Sequence, residues 1–226
     1  MAIQAILFDL DGTLLDRDAS LVPFARDQYD RFPQLQGVSQ DAFVGKFVTL
    51  DCHGNVWKDK VYQQLLEDFG IQGLTWQALL DDYLASFQRH CIGFPNMKSV
   101  LAELKDSGIR MVLVSNGYGQ FQYDNFMALG VSHLFDAVLI SEWEGLRKPD
   151  PAIFKLALSK LGVEAGEALF VGDHPDHDIR ASRELGMRAV WKQNDAQVEL
   201  GTVVEADASI EDFTELLDHV REWNKQ

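Results

Sequence analysis

Ala5-Ile6-Leu7-Phe8 runs directly into Asp9-Leu10-Asp11-Gly12-Thr13. Four apolar residues without a polar interruption read as a strand covered on both faces, the pattern of a parallel sheet. Two acids, a glycine and a threonine then fall at that strand's carboxyl end, where open α/β sheets bind their ligands. Side chains alternate along a strand, but a chain leaving its end can aim Asp9 and Asp11 into one crevice. Gly12 permits the turn, and Thr13 offers a hydroxyl and an amide to an anion. Taken alone, the pentapeptide also reads as a polar loop with a turn glycine.

Outward from this stretch the same rhythm repeats. Met111-Val112-Leu113-Val114, Ala137-Val138-Leu139-Ile140, Ala168-Leu169-Phe170-Val171 and Arg188-Ala189-Val190-Trp191 are further buried strand runs. Helical periods lie between them, such as Val100, Leu101, Leu104 and Ile153, Phe154, Ala157, Leu158, Leu161. Gly108, Gly130, Gly162 and Gly186 stand where these helices should stop. Strands alternating with helices predict a parallel α/β sheet. Residues 17–91 break the rhythm, with helical periods over Val56–Phe69 and Trp76–Phe87 and no strand run. The simplest reading is a helical domain inserted after the first strand, leaving residues 1–16 and 92–226 as the α/β domain.

Composition narrows the classes of function. Among 226 residues, 35 acids against 20 bases give a formal charge of −15, with 46% hydrophobic and 24% charged side chains. That balance is ordinary for a globular protein. The acidic excess argues against nucleic acid and anionic membranes, which attract Lys and Arg. It leaves room for a small phosphorylated ligand held by local charge. Residues 195–226 carry nine of the acids and two of the bases, and read as a short strand followed by a solvated amphipathic helix. Two cysteines, Cys52 and Cys91, imply no disulfide framework and a reducing compartment. The first residues lack the basic flank and apolar stretch of a signal peptide, and no run approaches the ~18 apolar residues of a membrane span. A cytoplasmic protein is expected.

Three further polar blocks end later strands. Ser115-Asn116-Gly117 follows Val114, placing a hydroxyl and an amide where a phosphate oxygen could bind, or simply forming a polar turn. Arg147-Lys148-Pro149-Asp150-Pro151 holds a cation in a backbone restrained by proline, or is a solvated helix start. Gly172-Asp173-His174-Pro175-Asp176-His177-Asp178 puts three acids within six residues. Such acids repel one another unless a cation or hydrogen-bond donors sit among them, so a hard-oxygen metal site fits. His174 and His177 raise zinc as a second choice, which the oxygen-rich setting disfavours. Asp176 reads as a loop acid or helix cap.

Together the four blocks resemble the haloacid dehalogenase superfamily, in its phosphatase-like branch with a helical cap inserted after the first motif. The order Asp-x-Asp-Gly-Thr, Ser after an apolar strand, Lys-Pro and Gly-Asp-x-x-x-x-Asp carries the resemblance. It implies a Rossmann-like parallel sheet with helices on both faces, plus a mainly helical cap of type C1. It implies Asp9 as the nucleophile and Asp11 as the general acid–base. Magnesium would be held by the Asp9 carboxylate, the Asp11 main-chain carbonyl and Asp173, with Asp178 as a ligand or a group orienting one. Ser115, Lys148, Thr13 and Asn116 would bind phosphoryl oxygens, and Lys148 would shield one anion attacking another. The spread negative charge of phosphoryl transfer calls for this mixture of cations and donors.

Within that resemblance Asp11 separates the activities. Dehalogenases and phosphonate-cleaving relatives lack the second aspartate, so its presence favours hydrolysis of a phosphate ester. A phosphomutase would keep the same pair. A phosphoacceptor receiver domain also combines aspartates, a Ser or Thr and Lys-Pro, but on a chain about half as long, with its acceptor after a later strand. The insertion is expected to close over the site as a lid and to select the substrate. Its segment Lys46–Lys60, with Asp51, His53, Asn55, Trp57 and Lys58, is the first place to seek a leaving-group contact.

Overall fold

A computed structural model describes residues 2–194 and 205–225. The chain divides into two compact units, Met1–Asp16 with Gly93–Gln226, and Arg17–Ile92.

The first unit is built on six strands: β1 (Ala5–Phe8), β2 (Arg110–Ser115), β3 (Ala137–Ile140), β4 (Ala168–Gly172), β5 (Arg188–Lys192) and β6 (Ala208–Ile210). Their spatial order is β3-β2-β1-β4-β5-β6, with every neighbouring pair parallel. The order reverses at β1, so a crevice opens at its carboxyl end. Phe8 is in register with Leu113 of β2 and Val171 of β4. Asp9 therefore emerges level with the ends of both neighbours, and its amide donates to Val171 O at 3.0 Å.

β1 and β4 are buried at every position. Covering one such side chain stabilises the fold by roughly 1.5–3 kcal/mol. β3 lies at the edge, and Ala137 and Val138 are only half-buried there, unlike the fully buried strand its composition suggests. Pairing in β2, β4 and β5 continues one residue past each apolar run, to Ser115, Gly172 and Lys192. The polar residues that close these strands are thus held by the sheet itself.

After β1 the chain enters the second unit, with helices α1 (Arg17–Arg31), α2 (Gln40–Asp51), α3 (Lys58–Asp68) and α4 (Trp76–Ser86). Its interior is aromatic: Phe24 meets Tyr83 edge-on at 5.3 Å, and Phe47 stacks on Tyr62 at 5.3 Å. The α/β unit resumes with α5 (Met97–Asp106), α6 (Gly119–Ala128), α7 (Ser141–Glu144), α8 (Pro151–Leu161), α9 (Ala181–Glu184) and α10 (Phe213–Trp223). Asp150 caps α8 by accepting from Ala152 N, and Pro151 occupies its first turn. The acidic tail does form β6 and α10; residues 195–204 of that stretch lie outside the described residues. α10 is not wholly solvated: Phe213, Leu216, Val220 and Trp223 are buried while Glu215, Asp218 and Glu222 are exposed.

Candidate active site

At the carboxyl edge of β1, Asp9 Oδ1 accepts from Lys148 Nζ at 2.6 Å. The same ammonium lies 2.8 Å from Asp178 Oδ1, so one buried lysine faces two carboxylates. Asp178 Oδ2 accepts from His174 N at 3.1 Å. A π-helical turn over Pro175–Arg180 returns Asp178 to the end of β4. Asp178 approaches so closely that a Cβ on Gly172 would lie 2.4 Å from its Oδ2. Asp173 joins the group, its Oδ2 accepting from Asn194 Nδ2 at 2.9 Å and its carbonyl from Trp191 Nε1 at 2.9 Å. Gly12, at φ +74°, leaves the space that Asp173 Oδ2 occupies, since a Cβ there would come within 2.3 Å.

The charge in this pocket is unbalanced. Asp9, Asp173 and Asp178 each bring a carboxylate oxygen within 4.8 Å of the others, with Lys148 among them. Burial pushes the Asp9 carboxyl up to about 7, and the Asp178 and Asp11 charges add to the rise against the pull of Lys148. Burial likewise holds Asp173 well above the usual carboxylate range, helped by Asp9 and Asp178. Burial acts to lower the Lys148 pKa, yet Asp178 and Asp9 together keep it above the ordinary lysine value. Three carboxylates and one ammonium in a dry site call for a further cation, and clustered oxygens suit a hard divalent ion.

The remaining expected residues take distinct places. The Asp11 carboxylate stands apart from the acidic cluster: its Oδ2 accepts from Gln122 Nε2 at 2.5 Å. Ser115 Oγ accepts from the same nitrogen at 3.0 Å. The buried Thr13 Oγ1 has no hydrogen-bond partner among the described residues, so it remains open to a ligand. Its amide donates to Leu10 O at 3.2 Å and closes the turn, contrary to the expectation that it serves an anion. The Asn116 side chain is engaged at both ends with the Lys148 backbone, donating to its carbonyl at 2.9 Å and accepting from its amide at 3.0 Å. It sets the position of Lys148.

A family profile described as "Haloacid dehalogenase-like hydrolase" matches residues 6–192. The chain belongs to this family. Among curated relatives of this hydrolase, a phosphoserine phosphatase of Thermus thermophilus is 34% identical over 60% of this chain and 54% of its own length. The matches thus span about half the length of the first relatives. A glyceraldehyde 3-phosphate phosphatase of Methanocaldococcus jannaschii is 33% identical over 99% of both chains. Among solved structures, a HAD phosphatase from Thermococcus onnurineus superposes with a TM-score of 0.65 at 26% identity, covering 96% of this chain and 98% of the other. A 2-haloacid dehalogenase from Pseudomonas syringae pv. Tomato gives 0.63 at 27% identity, covering 98% and 99%.

Other polar groups of the hydrolase resolve into structural roles. His174 Nδ1 accepts from the amides of Asp176 and His177 at 3.2 and 3.1 Å, capping the turn. Its ring stacks on His177 at 3.8 Å. Asp176 pairs with Arg180 at 3.2 Å on the surface. Of the residues singled out in Lys46–Lys60, Asp51 and Lys58 are buried against each other inside the helical unit, while His53, Asn55 and Trp57 are exposed. Gln122, Trp191 and Asn194 were not foreseen. Gln122 meets three acceptors and the other two residues meet Asp173, and no local spacing marks any of them.

Proposed function

We propose that this hydrolase is a magnesium-dependent phosphatase that cleaves small phosphorylated metabolites through an aspartyl-phosphate on Asp9. The carrying observation is the separation of the two aspartates of one turn. Asp9 is buried with Lys148 in the acidic cluster, and Asp11 is half-exposed outside it, on Gln122. Carboxylates in such different surroundings take different tasks. A dehalogenase, which releases halide, has no use for the second.

In this reading the Asp9 carboxylate attacks phosphorus and the bond to the ester oxygen breaks. Asp11 gives its proton to the departing oxygen, then takes one from the water that attacks the aspartyl-phosphate. The bond between the Asp9 oxygen and phosphorus breaks, releasing inorganic phosphate and restoring Asp9 as the carboxylate and Asp11 as the protonated acid. Lys148 and the Ser115 and Thr13 hydroxyls bind the phosphoryl oxygens, and Asn116 holds Lys148 in place. Magnesium would be held by Asp9, Asp173 and the Asp11 carbonyl, and would neutralise phosphoryl charge. Asp178 orients Lys148 and adds charge to that site. The named activities of the relatives support small phosphorylated metabolites as the substrate class. The helical unit would supply substrate selection.

Phosphate release from a panel of phosphorylated metabolites, with magnesium and with a chelator, tests the proposal. Asp9→Asn should lower turnover by about 10⁴-fold or more while the fold persists. Substantial residual hydrolysis would remove Asp9 as nucleophile, and transfer of phosphate between two hydroxyls of one sugar would replace the phosphatase with a mutase.

A further inference from the structure

Gln122 lies in the first turns of α6 and is buried. Its Nε2 faces three acceptors, Asp11 Oδ2 at 2.5 Å, Ser115 Oγ at 3.0 Å and Asn116 O at 3.3 Å. Turning the amide over would set its oxygen against a carboxylate and a carbonyl, so the nitrogen must point this way. Its Oε1 has Asn125 Nδ2 at 3.5 Å. The helix carrying it is fixed nearby, because Gly119 N donates to Glu142 Oε2 at 2.7 Å and Gly117 N to Ser141 Oγ at 2.9 Å. Gln122 N also donates to Tyr118 O at 2.9 Å, closing the helix's first turn.

We propose that Gln122 is a positioning residue that orients the Asp11 carboxyl and the Ser115 hydroxyl together. An amide N–H can only donate, so Oδ2 of Asp11 is held as an acceptor and Oδ1 is the oxygen left for proton exchange with the leaving group. Ser115 Oγ likewise accepts from Gln122, which leaves its own hydrogen to donate elsewhere, toward a phosphoryl oxygen. One side chain from the helix after β2 thereby couples phosphate binding to leaving-group protonation. Pre-set orientation of this kind is what a proton transfer in the transition state requires.

The inference rests on the phosphatase reading, and a leaving-group comparison separates the two. An alkyl alcohol departs poorly without a proton, whereas p-nitrophenolate departs without one. kcat/KM reports the step that forms the aspartyl-phosphate, so it isolates the acid role from the later hydrolysis. Wild type, Gln122→Met and Gln122→Asn are compared on p-nitrophenyl phosphate and on an alkyl phosphate that the wild type hydrolyses. Methionine keeps the bulk without the donor, and asparagine keeps an amide that falls a methylene short. Loss of the Ser115 contact falls on both esters alike, and loss of Asp11 orientation on the alkyl ester alone. With general acid–base catalysis contributing about 10²–10⁴-fold, both variants should therefore lose about tenfold or more on the alkyl ester beyond their aryl-ester loss. Equal losses on the two esters, or none, in variants with an unchanged melting temperature would show that Gln122 does not act through Asp11 and overturn the inference. Failure of the wild type to hydrolyse any phosphate ester would overturn the phosphatase reading, and this inference with it.

Discussion

Each unit of the molecule buries a cluster of charge, and the two clusters are built to opposite accounts. In the helical unit a single carboxylate, Asp51, receives both Arg17 nitrogens at 2.6 and 2.8 Å, the Gly54 amide at 2.8 Å and the Lys58 ammonium. Lys58 in turn lies over the rings of Tyr83 and Phe47, at 5.1 and 5.6 Å. With Asp18 at 4.0 Å from Arg17, two carboxylates face two cations, and no buried side-chain polar atom of the cluster lacks a partner among the described residues. At the sheet edge, three carboxylates share one lysine, and the carboxyls of Asp9 and Asp173 are forced toward their neutral forms. Acids and bases thus mark a candidate site by their imbalance: the balanced cluster holds a fold together, and the unbalanced one leaves negative charge that a cation would offset.

The contrast can be broken most sharply at Asp51. Asp51→Ala leaves Lys58 buried without a counter-charge and should destabilise the protein by about 3–5 kcal/mol, read by denaturant unfolding. A loss under 1 kcal/mol would mean the helical cluster is not the structural one. Next comes pH. Because the native metal-free protein binds a proton at Asp9 up to about pH 7 and the unfolded chain releases it near 3.8, stability should fall as pH rises through that window. Magnesium should therefore raise the melting temperature by several degrees at pH 8 and by less at pH 5. An equal rise at both would disconnect the ion from these carboxyls.

A smaller effect of opposite sign is expected at Asp173. Asp173→Asn removes one repelling charge and should stabilise the metal-free protein at pH 8 by about 1 kcal/mol while abolishing the gain from magnesium. Destabilisation there would show that the acidic cluster is as satisfied as the helical one. Smallest is Asp176→Ala, which breaks only the surface pair with Arg180 and should change stability by less than about 0.5 kcal/mol. Magnesium affinity, measured by calorimetry, should stay as in the wild type.

The sheet was legible because its strands are buried on both faces, which writes them as uninterrupted apolar runs. Asp9, Ser115 and Asp173 could be placed at one edge because polar residues end the apolar runs there, whereas Lys148 lies past β3 and α7 and was marked by its proline. Gln122 and Asn194 had no such contrast. A lone amide in a helix or beyond a strand says nothing about which distant carboxylate it will meet. Asn116 was visible but its partner was not: reading it as a phosphate contact overlooked the Lys148 backbone, 32 residues on. Asp51 and Lys58, named as candidates for a leaving-group contact, are instead buried against each other, a pairing that seven residues of separation do not announce.

The strand that carries Asp9 is made first and completed late. β1 lies between β2 and β4, and its residue Ala5 pairs with Arg110 on one side and Ala168 on the other. At synthesis rates of about 5–20 residues per second, the second partner leaves the ribosome on the order of 10–30 s after the first strand. The helical unit is one continuous stretch and can close in that interval. The strand that carries Asp9 stays half-partnered until most of the chain exists, so this edge of the sheet is among the last parts of the molecule that a nascent chain can assemble.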